Sequence, residues 1–110
     1  MIQAQFERDS DGIIHYFQLT GHADSGPYGS DIVCAAVSAV AIGAVNGIQQ
    51  LAAITPKVKA DSDNGGHLEC RLPQNLNADQ ANTAQIILAN FLLSLESIAE
   101  NYSDYVTIKK

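Results

Sequence analysis

A histidine and a cysteine twelve positions apart are the residues of this sequence best suited to covalent chemistry. His22 and Cys34 lie in the stretch GHADSGPYGSDIVCAAVSAV, with two glycines in the loop between them. An imidazole within reach of a thiol accepts its proton, and the thiolate then attacks a carbonyl carbon to form an acyl-enzyme that water hydrolyses. The pair therefore predicts a Cys/His dyad, a chemistry that requires no metal or other cofactor.

The residues just before Cys34 predict the start of a helix. Ser30 and Asp31 are both typical N-cap residues, so the thiol is expected in the first helical turn. Unpaired backbone N–H groups and the helix dipole favour negative charge there, which promotes ionisation of a thiol. The same N–H groups are suited to stabilising an oxyanion.

Three neighbouring residues are candidates for supporting this pair. Asp31, one turn before Cys34, is placed to orient His22, although an acid at a helix start more often acts as a cap or a dipole partner. Asp24 is a second candidate for orienting His22, but loop aspartates usually bond local backbone groups. Ser38, one turn after Cys34, is either a supporting residue or only a small packing residue.

Composition and spacing alone also allow a packing role for both cysteines. Reduced cysteine is commonly buried as a small hydrophobic residue, and this interpretation of Cys34 competes with catalysis. Cys70 stands between Leu68 and Leu72 on the apolar face of a predicted strand, so we expect it to be buried. Because no CxxC or similar metal-ligand spacing occurs, we expect no metal site.

Length and composition indicate one globular domain, residues 1–110, because a second core would leave each half too small to fold without staples. Hydrophobic residues make up 46% of the chain and charged residues 16%. The formal net charge of −6, without a Lys/Arg cluster, argues against direct nucleic-acid binding and favours a basic partner. The N-terminal residues lack the pattern of a secretory signal, so we expect a cytoplasmic protein.

Alternation of apolar and polar residues predicts two β-hairpins. The first consists of IQAQFER, the turn RDSDG and the β-branched and aromatic segment IIHYFQLT. The second is KVKADSDNGGHLECRL, in which Val58 and Ala60 share one face of their strand. Its return strand points Cys70 inward and His67 outward. We interpret His15 and His67 as ordinary strand residues.

An uncharged run from Ile32 to Thr55 must be tested as a membrane span. A span requires about 20 strongly apolar residues, whereas this run is rich in alanine and glycine and turns polar at Asn46, without a basic flank. We therefore expect no membrane contact. The small residues of the run predict a buried helix at the centre of the fold, closely packed on more than one side.

The C-terminal part predicts a second long helix and a last strand. Asn77 with Gln80 forms a capping-box pattern, and apolar residues then recur at helical spacing to about Tyr102. Ile86 and Leu93 widen the apolar face, which indicates deep burial, the preferred interpretation, or a subunit contact. With YVTIKK as a strand, the order ββαββαβ predicts an α+β fold, an α/β sandwich of two long helices on a mostly antiparallel sheet.

The residues of this motif resemble a known family. GHA, a glycine-containing loop and YGSDIVCAAVSAV are similar to the signature of the ribosomal-processing cysteine proteases called Prp, and the resemblance covers the whole chain. It implies that Cys34 is the nucleophile and His22 its catalytic partner. It also implies that the substrate is the N-terminal extension of a large-subunit ribosomal protein, cleaved next to an aromatic-containing segment, and that the protein is a homodimer.

The resemblance further implies a mobile loop that becomes ordered around the substrate. Gly21, Gly26 and Gly29 supply the backbone freedom that such a loop requires, whereas Pro27 adds stiffness.

Two other functions fit the same residues. In one, DIVCAAVS is only a tightly packed helix start in a non-catalytic ribosome-assembly module, and Cys34→Ser leaves function intact. In the other, the thiol hydrolyses small thioesters or amides, or senses oxidants. A groove large enough for a peptide argues against the second alternative.

Overall fold

Five strands and two long helices follow one another in the predicted order. The computed structural model describes residues 1–22 and 30–110, except for the side chains of Ser30, Asp31 and Asn64. The elements are β1 (Ile2–Arg8), β2 (Ile14–Thr20), α1 (Ser30–Gln50), β3 (Lys57–Asp61), a 3-10 turn (Asp63–Gly65), β4 (His67–Arg71), α2 (Ala78–Asn101) and β5 (Val106–Lys109). This order confirms the α+β prediction.

The strands form one mixed sheet in the order β3-β4-β2-β1-β5. The two hairpins and the β2–β4 pair are antiparallel, and β1 and β5 are the one parallel pair among the described strands. The chain passes from β4 through α2 to the far edge of the sheet, where β5 pairs with β1. A parallel pair requires a long connection of this kind. The prediction of a mostly antiparallel sheet is therefore confirmed.

An aromatic cluster joins the sheet to the helix layer. Phe6 of β1 and Phe17 of β2 are paired in the sheet, and Phe91 of α2 packs on both. The ring centres of Phe17 and Phe91 lie 4.7 Å apart with the rings edge to face, and those of Phe6 and Phe91 lie 5.6 Å apart. Such tilted arrangements are favoured by the ring quadrupoles, so this cluster holds α2 on the central strands.

A side-chain clamp fixes the same helix at the start of β2. The side-chain oxygen of Gln85 accepts a hydrogen bond from the backbone N–H of Ile14 at 3.0 Å, and its amide nitrogen donates to the Ile14 carbonyl at 2.6 Å. Ile14 lies at a register shift between Glu7 and Arg8 on the partner strand. The clamp therefore satisfies backbone groups where the regular ladder is interrupted.

Helix α1 is buried on part of its surface. Val33, Val37, Ala41 and Ile48 lie in the core, whereas the side chain of Ile42 is 56% exposed. The segment from Ile32 to Gln50 is long and apolar enough to cross a membrane by length and mean hydropathy, and 33% of it is buried in the fold. The prediction that this helix packs closely on more than one side is confirmed, because it packs on the sheet and also along α2, where a Cβ atom at Gly47 would lie 3.4 Å from the Ile87 side chain. Its outer face is exposed.

The burial prediction for Ile86 and Leu93 needs correction. Ile86 and Leu93 of α2 are 71% and 64% exposed, so they lie on the outer side of the helix layer rather than in the core. All five residues of β3, including Val58 and Ala60, are exposed. Because β3 is an edge strand of the sheet, its inner face extends past the helices that cover the central strands.

Candidate active site

The chain leaves β2 through a glycine that no other residue replaces without strain. Gly21 has a φ of +82°, and its N–H donates to the carbonyl oxygen of Gly66 at 3.1 Å. A Cβ atom at this position would lie 2.5 Å from the carbonyl oxygen of Met1. The turn at Gly21 therefore requires both a positive φ and the absence of a side chain. It directs the next residue, His22, out of the sheet.

Two side chains of α1 bind the backbone at this turn. The thiol of Cys34 donates to the carbonyl oxygen of Gly21 at 3.7 Å, and the hydroxyl of Ser38 donates to that of His22 at 3.1 Å. Residues four apart on a helix lie on the same face, so two successive carbonyls bind two successive turns of α1. These contacts place the backbone of His22 one residue beyond the carbonyl that binds the Cys34 thiol, and they give Ser38 a contact with the backbone of His22.

Partial burial favours the neutral form of the His22 imidazole. Its pKa is lowered from the ordinary value of 6.5, mainly because burial disfavours the charged ring and further because His67 is nearby. The Nδ1 atom is buried, and no other described residue bonds to it. A neutral imidazole is the form that accepts a proton, as a general base must.

Cys34 lies one residue beyond the first turn of α1, because the helix begins at Ser30. The prediction that the thiol lies within the first turn is therefore wrong by a small margin. Aspartate is favourable inside the first turn as well as at the cap, so this residue type does not distinguish the two positions. The Cys34 side chain is 6% exposed.

Several predicted site residues lie outside the described part of the chain. Gly26 and Gly29 belong to this group, as do Asp24 and the side chain of Asp31. Their predicted roles in the loop and in orienting His22 remain predictions.

A cleft of about 230 Å³ opens beside His22. Among the described residues it is lined by His22 from the end of β2, by Ala60, Asp61 and Ser62 from the end of β3, and by His67 from the start of β4. His67 is paired with both Thr20 and Asp61 in the sheet register. The sequence interpretation of His67 as an ordinary strand residue misses this position, because only the register of three strands brings it to His22.

Glu69 links His67 to a tyrosine on the open face of the sheet. One carboxylate oxygen of Glu69 lies 2.9 Å from His67 Nε2, and the other accepts the hydroxyl of Tyr16 at 2.5 Å. These hydrogen bonds lower the pKa of Glu69, and the bond from Tyr16 has the larger effect. Burial together with the same bond raises the pKa of Tyr16 to about 12. The guanidinium carbon of Arg71 lies 4.3 Å from the Tyr16 ring centre.

Cys70 has the packing role that its alternation predicts. Its side chain is 2% exposed in the core, and burial raises the pKa of the thiol to about 11. The described residues contain no cluster of three or more histidine, cysteine, aspartate and glutamate side chains that could hold a metal ion.

A family model and a known relative that match this chain name the same family. The family model described as cysteine protease Prp matches residues 1–107. The ribosomal processing cysteine protease Prp of Bacillus subtilis (strain 168) is 37% identical over 108 residues, which cover 98% of this chain and 96% of that protein.

Two solved structures of the S. aureus ribosomal processing protease Prp are also similar. The complex with a substrate peptide has a TM-score of 0.85 at 36% identity and covers 99% of this chain and 98% of that one. The complex with a covalently linked product peptide has a TM-score of 0.81 at 38% identity, with the same coverage.

Proposed function

This chain belongs to the cysteine protease Prp family, and we propose that it removes the N-terminal extension of a large-subunit ribosomal protein during ribosome maturation. The observation that carries the proposal is the pair of hydrogen bonds from Cys34 and Ser38 to the backbone of Gly21 and His22. They support a site in which α1 holds the backbone of Gly21 and His22 beside the Cys34 thiol. The relatives that bind a substrate peptide and a covalently linked product peptide support the same chemistry.

In the proposed mechanism Cys34 is the nucleophile. Its thiol loses a proton to the neutral imidazole of His22, and the thiolate attacks the carbonyl carbon of the scissile peptide bond. The nearby N-terminus of α1 favours the negative charge that develops on the thiolate and on the carbonyl oxygen. Because the thiol donates to Gly21 before the reaction, this hydrogen bond breaks when the proton leaves.

His22 then changes from base to acid. The imidazolium gives its proton to the leaving amine, which departs as the new N-terminus of the mature ribosomal protein. A water molecule, deprotonated by the neutral imidazole, hydrolyses the thioester and releases the extension. Ser38 is the proposed supporting residue, since its bond to the His22 carbonyl limits movement of the histidine. Asp31 is kept as a proposed orienting group.

Electrostatics favour encounter with such a substrate. The chain carries a formal net charge of −6, and ribosomal proteins are basic, so their association is accelerated at low ionic strength. A ribosomal substrate of this kind also accords with a cytoplasmic location, without direct binding of nucleic acid.

We further propose a homodimer that uses the helix layer. A groove of about 410 Å³ lies between α1 and α2, and none of its described lining residues is charged. Gly43, Leu51 and Ile86 are among these residues, and Leu51 and Ile86 are 74% and 71% exposed. Exposed apolar patches of this kind are typical of interaction surfaces. Sedimentation of the Ile86→Asp variant tests the proposal, and an unchanged molecular mass would contradict it.

The test of function is mass spectrometry of a ribosomal-protein precursor that carries its N-terminal extension. The precursor is incubated with the wild type, with Cys34→Ser and with His22→Ala, each shown to be folded by circular dichroism. Cys70→Ser and His15→Gln are matched controls, because they change the same residue types away from the cleft. We expect cleavage at one site by the wild type and both controls, and none by the two site variants.

Other outcomes identify the alternatives. Cleavage that persists in Cys34→Ser contradicts the proposed nucleophile. An uncut precursor together with a Cys34 that reacts with alkylating agents indicates a hydrolase with another substrate. An uncut precursor together with an unreactive Cys34 indicates a non-catalytic binding module.

A further inference from the structure

The cleft beside His22 has a second histidine whose position is determined by the sheet. His67 is the first residue of β4 and lies between Thr20 of β2 and Asp61 of β3 in the register. It lines the same cleft as His22. Because His22 lines this cleft, a peptide whose scissile bond lies at His22 is within reach of a side chain in the cleft wall.

The hydrogen bond to Glu69 determines which nitrogen of His67 carries the proton. Glu69 is ionised at neutral pH, since its hydrogen bonds lower its pKa, and a carboxylate only accepts hydrogen bonds. The nitrogen that faces it at 2.9 Å, Nε2, must therefore be protonated. In the neutral imidazole Nδ1 is then a hydrogen-bond acceptor. No other described residue bonds to this Nδ1.

The Tyr16 hydroxyl makes this arrangement rigid. It donates to the second oxygen of Glu69 at 2.5 Å, a length typical of a bond to a charged acceptor. Both carboxylate oxygens are thus occupied, one by Tyr16 and one by His67. A ring held in this way loses little side-chain entropy when it binds a ligand, which is how preorganised sites gain affinity.

We propose that His67 is a substrate-binding residue of this protease, whose Nδ1 accepts a hydrogen bond from a backbone N–H of the extended peptide beside the scissile bond. This inference rests on the proposed function, since it takes His22 to be the residue at which cleavage occurs. An acceptor for backbone N–H groups positions the peptide whatever its side chains are. Glu69 and Tyr16 are positioning residues that act through His67.

Peptide binding to an inactive enzyme tests the proposal without cleavage. The probe is a fluorescein-labelled peptide that spans the N-terminal extension and the first mature residues of the ribosomal precursor. Its fluorescence anisotropy is titrated with Cys34→Ala as the parent protein. The substitution His67→Gln is then introduced into this parent. The glutamine amide reaches the position of Nε2 and leaves no hydrogen-bond acceptor at the position of Nδ1. His67→Asn is the matched variant, whose amide oxygen occupies the position of Nδ1.

We expect His67→Gln to raise the Kd about three- to tenfold, the usual effect of losing one hydrogen bond. His67→Asn keeps the acceptor but loses the bond to Glu69, so it is expected to raise the Kd less than His67→Gln does. His15→Gln, a histidine of β2 outside this cleft, is expected to leave the Kd unchanged. With Cys34 restored, His67→Gln is expected to raise KM and to leave kcat almost unchanged, because the proposed hydrogen bond is made to the peptide backbone equally in the ground state and in the transition state.

Three outcomes overturn the inference. Equal binding by the parent and by His67→Gln excludes a contact between His67 and the peptide, and cleavage by the wild type in the same series leaves the proposed function intact. Equal losses in His67→Gln and His67→Asn show that the ring has only a structural role. If the parent does not bind the peptide and the wild type does not cut it, the proposed function fails together with this inference.

Discussion

The hydroxyl of Ser38 donates to the carbonyl oxygen of His22 at 3.1 Å, so a side chain of α1 holds the backbone of the proposed catalytic histidine. Its partner one turn earlier, the thiol of Cys34, bonds the preceding carbonyl, that of Gly21. Before the reaction the position of the imidazole thus depends on two side chains of one helix. When the thiol ionises, only the Ser38 bond is left of this pair.

Ser38→Ala is therefore expected to reduce kcat/KM by about three- to tenfold, because one hydrogen bond contributes about 0.5–1.5 kcal/mol. The measurement is steady-state cleavage of the precursor peptide. Ser94→Ala is the matched control, since the Ser94 hydroxyl also donates to a backbone carbonyl, that of Asn90, but on the exposed side of α2. Equal rates for Ser38→Ala and the wild type would show that this bond does not position His22.

Gly21→Ala tests the turn that directs His22 out of the sheet. We expect the free energy of unfolding to fall by more than about 2 kcal/mol, because a positive φ and a contact with the Met1 carbonyl are both unfavourable. Gly12→Ala is the control, since Gly12 has the same φ of +82° but open space around its Cβ position. It is expected to cost only about 1 kcal/mol. Similar losses in urea unfolding would contradict a steric role for Met1.

The lowered pKa of His22 predicts how activity depends on pH. Protonated His22 does not accept the thiol proton, so the rate falls on the acid side as His22 is protonated. Because burial lowers its pKa, the midpoint of this fall is expected below the ordinary value of 6.5. The Cε1–H signal of His22 in an NMR titration measures the same pKa directly. A midpoint at or above 6.5 would contradict the inferred effect of burial.

The same shift predicts how stability depends on pH. The unfolded chain binds a proton at His22 near pH 6.5, whereas the folded chain binds it only at lower pH. The unfolded state holds more protons between these values, so the free energy of unfolding falls as the pH falls from 6.5 through the folded pKa. Urea unfolding across this range is expected to show a smaller fall for His22→Gln. An identical fall in both proteins would assign it to other groups.

The sequence predicts those parts of the fold whose signals are local. The capping box of α2 is an example, since Gln80 N–H bonds the Asn77 side chain at 2.8 Å and the return bond measures 3.1 Å. The hairpins follow from alternation and turn residues in the same way. Local signals do not determine which residues of α2 are buried, because the exposed Ile86 and the buried Phe91 both belong to one apolar pattern. Which side of the helix meets the sheet depends on how the whole helix layer lies.

In the candidate site, too, the sequence predicts the residues that local signals mark and misses the one that long-range pairing places there. His22 and Cys34 stand out by residue type and by the motif around them, and their approach through Gly21 requires only one short connection. His67 does not stand out, because it reaches the cleft through pairing with Thr20, 47 positions away in the chain. Long-range register of this kind is set by the packing of the sheet as a whole.

The two cysteines are expected to differ in reactivity. Near neutral pH, iodoacetamide is expected to modify Cys34 in the folded protein and to leave Cys70 unmodified, as intact and peptide mass spectrometry measures. Both thiols are buried, but the pKa of Cys70 is raised to about 11, so almost none of it is the reactive thiolate. His22→Ala is expected to slow modification of Cys34 about tenfold or more, because the thiol loses its base.

Urea supplies the control for this experiment, since in the unfolded chain both thiols are exposed and are expected to react at similar rates. Modification of Cys70 before Cys34 in the folded protein would contradict the packing role of Cys70. A Cys34 that reacts at the same rate with and without the imidazole of His22 would show that the two residues do not act as a dyad. Cleavage lost in Cys34→Ser would then point to a base other than His22.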